Sequence, residues 1–150
     1  MEKQTFEGIV KFAIEREEDA IQAYGSMIEI AETPGLKELL AELQNEERNH
    51  KKLLQELSEE KVESLSVEDV IDLKISDYLV EEPPSAEMNF QDLLILAAKK
   101  EQKAVDLYSS LAEKAKEDEI KKLFEFLVMQ EKSHKLKLEK EYETHVLEDD

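Results

Sequence analysis

The chain has 150 residues, of which 41% are hydrophobic and 39% charged, and a formal charge of −18. Such a length fits one domain that can bury a core, while the negative charge excludes nucleic acid as a partner, because phosphates would be repelled. The absence of cysteine also excludes disulfides, thiolate zinc sites and cysteine-held iron–sulfur centres.

Three Gly, three Pro and abundant Glu, Lys, Leu and Ala predict long helices rather than strands. The residues Met1 to Phe6 lack the basic start and apolar core of a signal peptide. The longest apolar run, Leu93 to Ala98, is too short to span a membrane. The expectation is a single cytoplasmic domain over residues 1–150 with no membrane partner.

Thr5 is a candidate N-cap for a first helix from Phe6 to about Glu32. Its apolar stripe reads Phe6, Val10, Ala13, Ala20, Tyr24, Met27 and Ala31. Thr33-Pro34-Gly35 breaks it, and a second helix follows from about Leu36 to Glu59, with Leu36, Leu39, Leu43, Leu54 and Leu57 facing inward. So short a turn makes the two helices an antiparallel hairpin. Residues 60–88 read as a long crossover, with Ser66 capping a short helix over Val67–Tyr78 before Pro83-Pro84 ends regular structure. Asn89 caps a third helix from Phe90 to about Lys116, with a stripe of Phe90, Leu94, Ala97, Ala104, Tyr108, Leu111 and Ala115. A polar turn at Asp118 leads to a fourth helix from about Glu119 to His145, whose inner face reads Ile120, Phe124, Leu127, Leu138 and Tyr142. Met27 and Met129 are read as core, and His145 as exposed.

The two hairpins are copies of each other. Aligning residues 5–54 with 89–138, a shift of 84 without a gap, gives 15 identities in 50 positions. Among them are Glu17/Glu101, Glu47/Glu131 and His50/His134. Each copy thus holds a Glu and, thirty residues later, a Glu-x-x-His, whose members share one face of a helix. A helical hairpin cannot bury its own apolar face, so two copies predict a four-helix bundle with a pseudo-twofold axis.

Glu-x-x-His alone says little, because 29 of the 150 residues are Glu. Position says more. Glu17 lies between Ala13 and Ala20, Glu101 between Ala97 and Ala104, Glu47 and His50 between Leu43 and Leu54, and Glu131 and His134 between Leu127 and Leu138. All six therefore face inward. Four buried carboxylates would repel one another and resist desolvation, so positive charge is expected among them. Four carboxylates and two imidazoles suit two metal ions, iron or manganese, and zinc less specifically. Glu47 and Glu131, each beside its own His, are expected to bridge the ions, with Glu17 and Glu101 as terminal ligands. Tyr24 and Tyr108 each follow their helix's Glu by seven residues. They read either as core tyrosines or as hydrogen-bond partners that orient a ligand carboxylate.

This order of motifs resembles the ferritin-like superfamily, and most closely the rubrerythrin-like di-iron proteins, over nearly the whole chain. The resemblance implies an all-α, ferritin-like four-helix bundle of two repeated antiparallel hairpins joined by a long crossover. It implies two iron ions on Glu17, Glu47, His50, Glu101, Glu131 and His134, and chemistry with hydrogen peroxide or dioxygen. Two features depart from that family. Rubrerythrins proper carry a cysteine-ligated rubredoxin domain that feeds electrons to the site; without cysteine, the electron donor here is external. They also often carry a further carboxylate three residues after the third helix's Glu, where this chain has Ala104, matched by Ala20. The function expected is a di-iron oxidoreductase of oxidative-stress defence. The alternatives are a ferritin-like ferroxidase for iron handling and, from another class, a metal-free helical interaction module. Relatives of this kind tend to pair, so a homodimer is expected.

Overall fold

A computed structural model describes residues 4–61, 70–71, 84 and 87–146, with side chains described for 7–57, 84 and 87–144. Four helices dominate it: α1 (Phe6–Ile30), α2 (Pro34–Lys61), α3 (Phe90–Lys114) and α4 (Asp118–Val146). Two short extended pieces, β1 (Gln4–Thr5) and β2 (Val70–Ile71), pair antiparallel, with Gln4 opposite Ile71 and Thr5 opposite Val70. Val70 and Ile71 are therefore strand where a short helix over Val67–Tyr78 was expected. Both are β-branched, a shape that favours extended backbone once a partner strand is present. The rest of that expected helix lies outside the described residues, as do the capping side chain of Thr5, the side chain of Phe6 and that of His145. Among the described residues, no helix is long and apolar enough to cross a membrane.

The chain divides into two compact units, one built on α1 and α2, the other on α3 and α4. In the first, Thr33 ends the turn by accepting a hydrogen bond from the Leu36 backbone N–H on its Oγ1, at 3.3 Å. Pro34 then opens α2, two residues earlier than the apolar stripe suggested. Proline suits a first helical position, since its missing N–H would have had no partner in the helix. Leu36, Leu40 and Leu43 are buried on α2 at helical spacing, together with Leu54 and Leu57. Leu40 takes the place expected for Leu39, which is half-buried. On α1, Val10, Ala13, Ala20, Tyr24 and Met27 are buried as expected, and Ile9 joins them. Gly25 faces α2 closely: a Cβ there would come within 3.1 Å of Gln44 Nε2, and that amide donates to the Ile21 carbonyl at 2.9 Å.

Gly35 is different. It sits in the first turn of α2 and a Cβ there would meet nothing within 4 Å. Its φ is not positive, so alanine fits its backbone, and the substitution removes freedom mainly from the unfolded chain. Gly35→Ala is expected to stabilise the protein by about 0.5–1 kcal/mol, which a thermal melt would register as a rise of roughly 1–4 °C.

In the second unit, α3 starts on a capping box. The Asn89 side chain accepts from the Asp92 N–H at 2.9 Å, and the Asp92 carboxylate accepts from the Asn89 N–H at 3.3 Å. Residues 115–117 connect α3 to α4, and the Ala115 N–H closes the end of α3 on the Leu111 carbonyl at 3.0 Å. The helices run antiparallel. Gln91 donates to the Tyr142 hydroxyl at 2.8 Å near one end, and the rings of Tyr108 and Phe124 stack 6.1 Å apart near the other. Leu94, Ala97, Ala104, Tyr108, Leu111, Ile120, Phe124, Leu127 and Leu138 are buried. Phe90, Ala115 and Tyr142, at the helix ends, are half-buried. Met129, expected in the core, is 65% exposed. It lies two residues from buried Leu127 and Glu131, and a step of two positions along a helix turns a side chain to the opposite face.

Candidate metal centre

In the first unit the apolar stripe of α1 is interrupted by Glu17, one turn from Ala13 and from Ala20, and that of α2 by Glu47 and His50, between Leu43 and Leu54. The helical period that buries the leucines and alanines buries these groups too: Glu17 and Glu47 are fully buried and His50 nearly so. His50 Nδ1 lies 3.0 Å from Glu47 Oε1 and 3.9 Å from Glu17 Oε2. These three atoms take part in no hydrogen bond. A ring nitrogen and two carboxylate oxygens drawn together from two helices form a set of electron donors about a common point, which a cation would satisfy.

The other oxygens of the two carboxylates are held differently. Arg16 Nη1 donates to Glu17 Oε1 and to Glu47 Oε2, at 3.0 Å each. One guanidinium therefore ties Glu17 of α1 to Glu47 of α2 from the side away from His50. Beside it, Lys51 Nζ donates to Glu18 Oε1 at 2.6 Å, joining the residues that follow His50 and Glu17. That hydrogen bond, with a second from Gln22, holds the Glu18 carboxyl below its ordinary pKa. The hairpin is thus pinned at the level of this donor set by two cationic side chains.

The second unit repeats the donor set. Glu101, Glu131 and His134 are all fully buried, and His134 Nδ1 lies 3.5 Å from Glu101 Oε2 and 3.4 Å from Glu131 Oε1. Again these three atoms make no hydrogen bond. The surroundings differ. Arg16 is replaced by Lys100, and the Glu18–Lys51 pair by Gln102 and Lys135. Gln102 donates to Asp106 on its own helix at 2.9 Å. Where the first unit has its outer ion pair, the second has a groove of about 360 Å³ lined by Ile95, Ala98, Lys99, Gln102, Lys135 and Tyr142, among others.

All six expected ligands are therefore buried, three in each unit, with their donor atoms converging within each half. Tyr24 and Tyr108 are buried as well, Tyr108 against Phe124. Arg16 was missed by the sequence reading. Its signal was present: a basic residue directly precedes the buried Glu of the first helix in both copies, Arg16-Glu17 and Lys100-Glu101.

Comparison with known proteins gives a consistent result. The family model described as Rubrerythrin matches residues 8–142. Among solved structures, a protein of Pyrococcus furiosus titled Hypothetical Protein Pfu-1136390-001 is similar, with a TM-score of 0.72 and 28% identity over 91% of this chain and 87% of that one. That likeness places the four helices in the ferritin-like four-helix-bundle class. No curated protein matches the chain.

Proposed function

Because the chain belongs to the rubrerythrin family, we propose that it is a non-haem di-iron oxidoreductase that reduces hydrogen peroxide or dioxygen with electrons from an external donor. The observation that carries this reading is the repetition of a buried donor set, two carboxylates and one imidazole nitrogen, in each hairpin. Burying four carboxylates and two imidazoles together costs desolvation that packing alone does not return. Glu47, His50, Glu131 and His134 together have the composition of a metal-binding group, and Glu17 and Glu101 complete a set whose four negative charges balance two divalent ions. Manganese or zinc would fit the same atoms.

In this reading Glu17, Glu47, His50, Glu101, Glu131 and His134 would hold the ions, with Glu47 and Glu131 in the bridging role and Glu17 and Glu101 in the terminal one. Arg16 holds one oxygen of each carboxylate in its half, which orients the other oxygen toward the donor set. Tyr24 and Tyr108 orient the ligand carboxylates from within the core. Bound there, a pair of ferrous ions supplies two electrons and Lewis acidity to an oxygen–oxygen bond. Re-reduction would fall to a separate protein or a small reductant.

The test has two readouts. Metal analysis after reconstitution with ferrous ion should approach two ions per chain, and the loaded protein should consume peroxide repeatedly in the presence of a chemical reductant. Fewer than one ion per chain, with iron or manganese, would remove the site. Two ions per chain with only a single round of oxidation would remove the oxidoreductase reading and leave iron handling in its place.

A further inference from the structure

The two hairpins carry the same donor trio and differ in what lies beside it. In the second, a groove of about 360 Å³ is lined by residues of α3 and α4. Its apolar lining is Leu94, Ile95, Ala98, Leu138 and Tyr142, of which Leu94 and Leu138 are buried and Ile95 is 39% exposed. The lining extends from Leu94 to Gln102 on α3 and from Lys135 to Glu143 on α4, or about 12 Å along each helix. An elongated apolar trough of this volume can hold a small molecule.

The repeat shows what opens it. Ile95, Ala98, Lys99, Gln102 and Lys135 correspond to Lys11, Ile14, Glu15, Glu18 and Lys51 of the first hairpin. Ala98 is smaller than Ile14 and makes room at the floor, and Ile95 is apolar where Lys11 is charged. In the first hairpin Lys51 donates to Glu18 at 2.6 Å. In the second the lysine is kept, half-buried, while the place of its carboxylate partner is taken by the neutral Gln102, which donates to Asp106 at 2.9 Å. The exchange of Glu15 for Lys99 reverses a charge. Around Lys135, two carboxylates have thus gone and a second ammonium has come. A half-buried ammonium favours an anion beside it, and the one that serves in the first hairpin has no counterpart here. Charge also divides along the groove. Lys99 and Lys135 lie within two residues of Glu101 and His134, whereas Glu139 and Glu143 line the other end with Tyr142.

We propose that this groove binds an elongated organic monocarboxylate of the fatty-acid class. Its carboxylate sits between Lys99 and Lys135, and its apolar chain lies along Leu94, Ile95 and Leu138 toward Tyr142. The charges set this orientation: Glu139 and Glu143 at the far end repel a second carboxylate, so a monoacid is accepted and a diacid refused. A neutral chain of the same length would meet the apolar lining but leave the two ammonium groups without an anion. The groove shares no side chain with the six donors of the metal centre, so the site does not depend on the metal reading.

Isothermal titration calorimetry of purified full-length protein with decanoate tests this, with the protein as purified and again after chelation of metal. Decanoate should bind saturably, one molecule per chain, in both states. Decanol, which lacks the charge, and decanedioate, which carries a second one, should each bind about tenfold or more weakly. Gln102→Glu restores the carboxylate that Lys51 has in the first hairpin, and Ala98→Ile restores the larger side chain there. Both residues are already carried at these positions of the scaffold, so each variant should keep the wild-type circular dichroism and weaken decanoate by about tenfold or more. Lys135→Gln, which removes the cation without adding bulk, should do the same and decides the matter if either of the others unfolds. Lys132→Gln, exposed on α4 and outside the groove, should change nothing. Absence of saturable binding overturns the proposal. So does binding confined to the metal-loaded form, which would mean coordination at the ions. Equal affinity for decanoate and decanol, or decanoate binding untouched by the groove variants, overturns it as well.

Discussion

Arg16→Leu is expected to melt far below the wild type in metal-free protein and close to it once metal is bound. Arg16 Nη1 reaches Glu17 and Glu47 at 3.0 Å each, its side chain is only 11% exposed, and both carboxylates are fully buried. Removing one partner of such an arrangement strands buried charge, a loss of about 3–5 kcal/mol, or roughly 6–20 °C in melting temperature for a chain of this size. When cations occupy the donor set, they supply the compensating charge that Arg16 gave, and most of the penalty vanishes. The leucine keeps much of the packing of the arginine stem, so the difference between the two states isolates the charge. Paired thermal melts of the variant, with and without metal, decide this. An equal fall in both states would make Arg16 a packing residue; no fall in either would make its two hydrogen bonds irrelevant to the core.

Glu47→Ala and Glu131→Ala should each bring metal content from two ions per chain to fewer than one, while Glu17→Ala and Glu101→Ala should lose less. A bridging carboxylate touches both ions and a terminal one touches only one. In the metal-free state the variants should differ from the loaded protein. Glu131→Ala removes one of four buried carboxylates, so relief of repulsion and desolvation should offset the small cavity and leave stability unchanged or higher. Glu47→Ala instead removes one of the two oxygens that receive Arg16, and should destabilise by about 1–3 kcal/mol. Elemental analysis and melts of the four apo variants check both statements. Equal metal loss in all four would refute the bridging roles, and a deep loss of apo stability in Glu131→Ala would show that its carboxylate is a structural hydrogen-bond acceptor.

The helices, the repeat and the burial of the six Glu and His side chains could be read from the sequence because one period governs them all. A residue three or four positions from Ala13 and Ala20 or from Leu43 and Leu54 lies on their face whatever its chemistry, and so Glu17, Glu47 and His50 went inside with them. What the period did not give was the partner of a group on a neighbouring helix. Arg16 lies one position off the buried stripe and reaches it only through the length of its side chain, a reach that spacing does not encode. The same limit explains Val70 and Ile71, whose pattern fits a short amphipathic helix equally well and whose extended state depends on pairing with Gln4 and Thr5. Met129 differs for a simpler reason: its apolar type predicts core, but its step from Leu127 and Glu131 sets it on the outer face.

Each pair of helices is joined by only three residues, 31–33 in one hairpin and 115–117 in the other, and this bears on the order in which the protein assembles. Glu17 finds Glu47 thirty residues along the chain, and Glu101 finds Glu131 over the same distance, so each donor trio closes a short loop at low entropic cost. Contacts of such short range form early and fast in helical proteins. Each hairpin can thus acquire its complete trio of donors without waiting for the other, and a nascent chain emerging from its N-terminus would present Glu17, Glu47 and His50, already tied by Arg16, before the second trio has been synthesised.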